Sequence, residues 1–228
     1  MLDLYIALIL SFLTGPELLT LCKKIRVISK IVTKYGKLFR ITNLPPNIRD
    51  RDLKYFTNVK GIDLSNCDEI TDAGMKHLRG IHTINLSWCE ITGAGLEHLC
   101  GVHTIDLSNS CVATYEFGQI HIPINEGLVH LQGVHTINLS DCWTISDQSL
   151  KYLHGVHSID LSRCCYITDA GLEHLKGCHT INLFSCSEIT DKGLEHLRGV
   201  HKINLSDCNQ ITEKGRETLQ GADITLYK

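Results

Sequence analysis

The sequence predicts an α/β fold in which short strands and short helices alternate and stack into a solenoid, preceded by a small all-α segment. Three observations predict this fold. A phrase typified by "GVHTINLSDC" at residues 133–142 recurs along most of the 228-residue chain. Its copies are spaced by about 22 residues, a period typical of solenoids. Each copy alternates apolar and polar residues and is followed by leucines three residues apart, as a strand followed by a helix requires.

The first 36 residues contain no copy of the phrase and predict two or three short helices. The stretch "LYIALILSFL" is apolar throughout, and Pro16 and Glu17 suit the start of a second helix. The apolar run at 4–10 is too short to span a bilayer and is preceded by Asp3 instead of a basic residue. We therefore expect neither a membrane span nor a signal peptide, and we divide the chain into a helical segment at 1–36 and a solenoid at 37–228.

The strand half of each unit is clearest in residues 156–177, "VHSIDLSRCCYITDAGLEHLKG". Ile159 and Leu161 alternate with small polar residues, so the aliphatic side chains share one face of a strand. The leucine of the phrase marks the copies along the chain: Leu64, Leu86, Leu107, Leu139, Leu161, Leu183, Leu205 and Leu226. One gap is 32 residues long, which predicts an insertion at about 110–127.

The helix half of the same unit begins near Asp169, which we expect to cap a short helix. Leu172 and Leu175 then share one face, and Gly177 suits the left-handed position after the helix. A helix this short does not persist alone, so each unit depends on its neighbours in the stack.

Cysteine and histidine recur in columns that could be taken for metal ligands. Six cysteines follow the strands, namely Cys67, Cys89, Cys142, Cys164, Cys186 and Cys208. Six histidines precede the strands, namely His82, His103, His135, His157, His179 and His201. One straight column does not converge on a metal ion, and catalysis needs one residue that differs from its neighbours. We interpret the cysteines as reduced, buried thiols and the histidines as a surface stack, and metal binding through these columns remains an alternative.

Residues that depart from the repeat are the candidates for binding a target protein. Aromatic residues and arginine contribute most to interface energies, and long loops on a rigid scaffold often carry function. The candidates are Trp88, Trp143, Arg163, Tyr166 and Phe184, together with Tyr115 and Phe117 in the insertion. A uniform column of Asp and Asn between the strand aliphatics, from Asp63 to Asn204, is expected to line the exposed sheet face.

The repeat resembles the cysteine-containing class of leucine-rich repeats, whose pattern is L-x-x-L-x-L-x-x-C-x-x-I-T-D-x-G-L-x-x-L. It is matched by "VHSIDLSRCCYITDAGLEHL" and "CHTINLFSCSEITDKGLEHL", and the resemblance runs from about Ile48 to Leu226. The resemblance implies a right-handed horseshoe with a parallel sheet on the concave face and short helices on the convex face. These units are shorter than is usual in that class, so the curvature is expected to differ.

The N-terminal segment "ILSFLTGPELLTLCKKIRVISKIV" is similar to the F-box motif, I-L-x-x-L-x-x-x-[DE]-L-L-x-L followed by a basic helix. The adaptor-binding residues that this resemblance implies are Ile9, Leu10, Leu13, Pro16, Glu17, Leu18, Leu19 and Leu21. The Leu-Pro pair that opens the motif and the tryptophan near its end have no counterpart here.

The F-box resemblance implies a substrate-recognition adaptor of an SCF-type cullin–RING ubiquitin ligase, in the cytoplasm or nucleus. The helices would bind a Skp-family adaptor, and the solenoid would hold a target protein. The alternative is a leucine-rich interaction scaffold whose helices only cap the solenoid. No phosphate loop, nucleophile elbow or carboxylate pair is recognisable, so we expect no enzyme activity and no cofactor. A net charge of −3 and the short apolar run make nucleic-acid and membrane partners unexpected.

Overall fold

The computed structural model describes residues 2–110, 114–116, 119–121 and 123–226. Nine strands form one parallel sheet in the order β1-β2-β3-β4-β7-β8-β9-β10-β11. These strands are β1 (Arg40–Ile41), β2 (Gly61–Asp63), β3 (Thr83–Asn85), β4 (Thr104–Asp106), β7 (Thr136–Asn138), β8 (Ser158–Asp160), β9 (Thr180–Asn182), β10 (Lys202–Asn204) and β11 (Asp223–Thr225). The insertion contributes a separate antiparallel pair, β5 (Thr114–Glu116) and β6 (Gln119–His121).

Short helices alternate with the strands of the main sheet. Three helices precede it, α1 (Leu2–Leu10), α2 (Gly15–Lys24) and α3 (Arg26–Lys34). Those of the repeats are α4 (Asp50–Leu53), α5 (Asp72–Met75), α6 (Gly93–Leu96), α7 (Pro123–Gly127), α8 (Asp147–Leu150), α9 (Asp169–Leu172), α10 (Asp191–Leu194) and α11 (Glu213–Glu217). Each of α4 to α10 runs directly into one turn of 3₁₀ helix.

The core lies between the sheet and the helices and follows from the repeat itself. The strands pair in register, so that Ile84 lies beside Ile105 and Ile105 beside Ile137. Leu161 from the strand side and Leu172 from the helix side are both fully buried. Burying a leucine or isoleucine side chain contributes about 1.5–3 kcal/mol, and each repeat buries several. The predicted fold class is therefore confirmed: the chain is an α/β solenoid of stacked strand–helix repeats behind an all-α segment.

One strand was missed from the sequence, and one local expectation was wrong. The phrase did not identify β1, because that strand is only two residues long and its sequence, "RI", carries no repeat signature. Asp169 does not cap its own helix, because Thr168 is the N-cap and accepts from the Ala170 N–H. Asp169 instead bonds the next repeat, where its two carboxylate oxygens accept from the Thr190 N–H at 2.8 Å and the Thr190 hydroxyl at 2.6 Å.

The same aspartate–threonine link joins several consecutive repeats. It connects Asp50 to Thr71, Asp72 to Thr92, Asp147 to Thr168, Asp169 to Thr190 and Asp191 to Thr212. The glycine of the motif leaves room for this carboxylate, since a Cβ on Gly171 would collide with Asp147 Oδ1. The motif T-D-x-G thus stacks repeats as well as starting helices.

The three N-terminal helices pack against the first repeats. Leu18 and Val32 belong to the same buried cluster as the repeat leucines. Lys23 pairs with the nearly buried Asp52 at 2.9 Å, and the Gly15 N–H donates to the Thr42 carbonyl. The helices therefore cover the β1 end of the solenoid core. No helix among the described residues is long and apolar enough to cross a membrane.

Candidate interaction surface

The exposed face of the sheet carries a ladder of Asp and Asn side chains, as expected. Each accepts a hydrogen bond from the backbone N–H two residues later, as Asp160 does from Ser162 at 2.9 Å. Asparagine also donates across to the aspartate of the preceding strand, from Asn138 to Asp106 at 3.1 Å and from Asn182 to Asp160 at 2.8 Å. Alternation of Asp and Asn keeps the carboxylates apart, so this ladder holds the strand ends in place.

The cysteine column is a buried ladder behind the strands. The thiols of Cys89, Cys164, Cys186 and Cys208 donate to a leucine carbonyl of the preceding repeat at 3.0–3.2 Å. Burial raises the pKa of Cys186 to about 12, so its thiol stays protonated and unreactive near neutral pH. These thiols are free, but Cys142 is disulfide-bonded, and the expectation of a reduced thiol was wrong there.

The histidine column is an exposed stack along the edge where the strands begin. Neighbouring rings from His82 to His201 have centroids 4.5–4.7 Å apart and planes 11–25° from parallel. Rings stacked in this way direct their nitrogens side by side and not toward a common point. Within the residues that the structure describes, no group of three His, Cys, Asp or Glu side chains could hold a metal ion.

The loops that follow the strands form the opposite edge, which we call the strand-end rim. It comprises residues 65–70, 87–91, 108–110, 140–145, 162–167, 184–189 and 206–211. One position of each loop has a left-handed backbone, with φ between 57° and 62°, at Asn66, Trp88, Asn109, Asp141, Arg163, Ser185 and Asp207. Asn and Asp tolerate this conformation, whereas Trp and Arg rarely adopt it. Trp88 and Arg163 are therefore strained exceptions in the column.

Arg163 is held in a fixed position on the rim. Its guanidinium carbon lies 5.5 Å from the centre of the Phe184 ring, and its Nη1 lies 3.2 Å from Asp141 Oδ1. This brings two of the predicted target-binding residues together. Trp143 and Tyr166 are exposed on neighbouring loops of the same rim, and Trp88 lies on an earlier one. Five predicted candidates thus share one surface.

The insertion candidates lie at the margin of what the structure describes. Tyr115 is in β5, and its side chain is outside the described part. Phe117 lies outside the described residues altogether. The insertion begins directly after Ser110, so it leaves the solenoid from the strand-end rim. Ser110 replaces the column cysteine, and its hydroxyl donates to the Leu86 carbonyl.

The F-box-like residues divide between the core and the surface. Leu10, Leu18 and Leu19 are buried within the chain's own core. Leu13, Pro16 and Leu21 are half-buried, and Glu17 is exposed. The Glu17 carboxylate accepts from the Thr14 N–H at 2.9 Å and the Thr14 hydroxyl at 2.8 Å, which lowers its pKa. In the structure, Glu17 therefore stabilises the N-terminus of α2.

A row of large apolar side chains on α1 is exposed and was not singled out from the sequence. Ile9 is 68% exposed and Phe12, just after the helix, is 83% exposed, and Tyr5 and Leu8 lie beside them. Because every residue of α1 except Asp3 is apolar or aromatic, its sequence pattern did not distinguish the buried from the exposed face. Only packing against α3 defines these faces.

Comparison with known proteins supports the repeat and the fold. A family model described as "Leucine Rich repeat" matches residues 57–78, 81–100 and 156–176. A search of curated proteins finds no match.

Several solved structures share the fold at low sequence identity. A chain of the yeast Rad7–Elc1 complex matches 94% of this chain at 14% identity, with a TM-score of 0.58. Internalin C2 from Listeria monocytogenes matches 77% at 19% identity with a TM-score of 0.55, and a TLR13–ssRNA13 complex matches 75% at 17% identity with a TM-score of 0.56. The chain spans 65%, 74% and 25% of these structures, respectively.

These findings define the class of the protein. The chain is built on leucine-rich repeats and forms a solenoid with an extended sheet face and two long edges. Leucine-rich-repeat proteins are generally scaffolds that bind protein partners. The fold alone does not specify the partner, which must be argued from the surface residues.

Proposed function

We propose that this chain is a substrate-recognition adaptor of an SCF-type cullin–RING ubiquitin ligase. Residues 1–36 bind a Skp-family adaptor, and the solenoid at 37–228 binds the target protein. The observation that carries the proposal is the exposed apolar row on α1, formed by Tyr5, Leu8, Ile9 and Phe12. An apolar surface of this kind, continuous along one helix, is suited to packing against another protein.

The similarity of the N-terminal segment to the F-box motif gives this surface its proposed partner. The fold likeness to a chain of the Rad7–Elc1 complex covers 94% of this chain, whereas residues 37–228 are 192 of its 228 residues. The likeness therefore includes part of the N-terminal helices. That structure is itself a complex of two proteins.

The experiment measures binding of the purified chain to a purified Skp-family adaptor by calorimetry. We expect the double variant Ile9→Glu and Phe12→Glu to lose binding by about a hundredfold or more, because it places two charges in an apolar contact. Both side chains are exposed, so the variant should remain folded. The matched control Val129→Glu, an exposed apolar residue of the solenoid, should bind as the unmodified chain does.

The second candidate is an interaction scaffold without ligase association. The burial of Leu10, Leu18 and Leu19 favours it, because these residues serve the cap and are not free to contact a partner. Failure of the unmodified chain to bind the adaptor would establish this second function instead. If the Ile9 and Phe12 variant still binds the adaptor, the adaptor must contact another surface of the chain.

A further inference from the structure

The two edges of the solenoid carry opposite charge. The strand-end rim holds six carboxylates and one guanidinium among its described residues, namely Asp68, Glu69, Glu90, Asp141, Glu188, Asp207 and Arg163. The edge where the strands begin comprises residues 57–60, 79–82, 100–103, 132–135, 154–157, 176–179 and 198–201. It holds no carboxylate, but has four basic residues and seven histidines. The net charge of −3 therefore conceals two edges of opposite charge.

The strand-end rim also collects exposed aromatic side chains. Trp88, Trp143 and Tyr166 are each 51–63% exposed. Among the described residues from β2 to β10, the other exposed large apolar side chain is Val129, which is 37% exposed and lies on the helix side. The two tryptophans are the only ones in the chain. An acidic edge with exposed aromatic rings is chemically suited to cations, which ion pairs and ring faces both attract.

The rim keeps most of its carboxylates available. Arg163 is occupied by Asp141 at 3.2 Å, and Glu69 lies 3.7 Å from Arg49. Asp68, Glu90, Glu188 and Asp207 have no ion-pair partner among the described residues. These four side chains are exposed at intervals along the rim.

Backbone strain on the rim supports a binding role. A left-handed conformation at a residue other than Gly, Asn or Asp costs on the order of 1–2 kcal/mol, and Trp88 has φ 62°. Four of the other six positions of this column use the tolerant Asn or Asp, and the remaining two are Arg163 and Ser185. Strained residues tend to persist where they serve a function, and here the strain turns an exposed indole outward.

We propose that the strand-end rim binds an extended, lysine- or arginine-containing segment of a partner protein. The inference rests on the proposed binding role of the solenoid and does not depend on the adaptor role of α1. Strands are spaced about 4.8 Å apart, so the rim from β2 to β10 is about 29 Å long. A segment of about nine extended residues covers that length. Its basic side chains meet the four available carboxylates, and their aliphatic stems lie on the aromatic rings.

The experiment uses the full chain and a fluorescein-labelled twelve-residue peptide of alternating lysine and serine. Fluorescence anisotropy gives its Kd, and a peptide of alternating glutamate and serine is compared. Because both tryptophans lie on the rim, their emission should change on adding an unlabelled lysine peptide. We expect the lysine peptide to bind, its affinity to fall as salt is raised, and the glutamate peptide not to bind.

Two triple variants with the same change in net charge test the location. The rim variant is Asp68→Asn, Glu90→Gln and Glu188→Gln, and the control on the helix side is Glu97→Gln, Glu173→Gln and Glu195→Gln. The rim variant should weaken binding about tenfold or more, and the control should change it less than about twofold. Circular dichroism melting verifies that both variants are folded.

Three results would overturn the inference. These are preferential binding of the glutamate peptide, equal weakening by the two triple variants, or no binding of the lysine peptide below about 1 mM. The Ile9 and Phe12 double variant should bind the lysine peptide normally. Loss of adaptor binding with intact peptide binding therefore affects only the proposed function, and the reverse result affects only this inference.

Discussion

Single residues on the strand-end rim are where this chain departs from its own repeat. The left-handed position after the strand is satisfied by Asn66, Asn109, Asp141 and Asp207 without strain. Trp88 and Arg163 occupy the same position at a cost in stability. The stability cost of Trp88 and of Arg163 can therefore be measured by replacing each with the Asn or Asp found at equivalent positions.

Replacing Trp88 with Asn should stabilise the chain. The left-handed backbone is more favourable for Asn by about 1 kcal/mol, and the indole that is lost is exposed. For a chain of this size that corresponds to a melting temperature about 2–4 °C higher. Trp143→Asn is the matched control, since Trp143 is 51% exposed against 59% for Trp88 but is not among the residues with positive φ, and it should give no such gain. A lower melting temperature for Trp88→Asn would show that the indole stabilises the rim.

Replacing the adjacent residues Cys164 and Cys165 should affect the stability of the chain to very different extents. Cys164 is fully buried and donates to the Leu139 carbonyl at 3.2 Å, whereas Cys165 is exposed. Cys164→Ala should destabilise the chain by about 1–2 kcal/mol, and Cys165→Ala should have almost no effect, as measured by chemical denaturation. Burial raises the pKa of Cys164, so alkylation of the folded chain should modify Cys165 and not Cys164. Equal modification of both would contradict the buried ladder.

At the scale of elements, the histidines stacked along the edge where the strands begin make the stability of the chain depend on pH. The pKa of His135 is lowered first by partial desolvation and then by the charges of His103 and His157. The pKa of His179 is lowered by desolvation and then by the charges of His157 and His201. The folded chain therefore binds protons on these rings less readily than the unfolded chain does.

The chain should consequently lose stability on acidification through the histidine range. The stabilisation is complete above the ordinary value of 6.5 and is lost as the pH falls through the lowered folded pKa values. The melting temperature measured by calorimetry should fall between about pH 7 and pH 5, and His135→Gln should reduce that fall. His154→Gln, an exposed histidine outside the stack, should leave the pH dependence unchanged. A flat melting temperature across this range would exclude the effect.

The elements that could be predicted from the sequence are those that repeat. Ile159 and Leu161 defined a strand because period two recurs in every copy, and the structure places both in the core. The helix-start aspartate was misassigned because its partner, Thr190, lies in the next repeat and local capping rules consider one unit alone. The buried and exposed faces of α1 could not be separated, since apolar residues surround that helix. The opposite charges of the two edges became visible only once the loops were aligned by the sheet.

At the scale of the whole molecule, the described helix layer of the stack has a weak junction between α7 and α8. Asn125 stands at the position of the linking aspartate and Ser146 at that of the threonine, so the carboxylate–hydroxyl link of the repeats listed above is missing there. Nearby, Asn125 Oδ1 and Thr144 Oγ1 are buried without a hydrogen-bond partner. The sheet continues across the junction through β4 and β7, but the helix layer is less well connected.

In a solenoid, stability is approximately the sum of repeat terms and nearest-neighbour interfaces, so a weak interface should allow the two sides to unfold separately. Trp88 lies before the junction and Trp143 after it. The variants Trp143→Phe and Trp88→Phe therefore report the N-terminal and C-terminal parts individually, by tryptophan emission in urea. Adding Leu194→Ala, which removes a fully buried side chain, should destabilise the C-terminal part by about 2–5 kcal/mol. We expect the Trp143 transition to move to lower urea while the Trp88 transition stays in place; movement of both together would show that β4 and β7 transmit cooperativity across the junction.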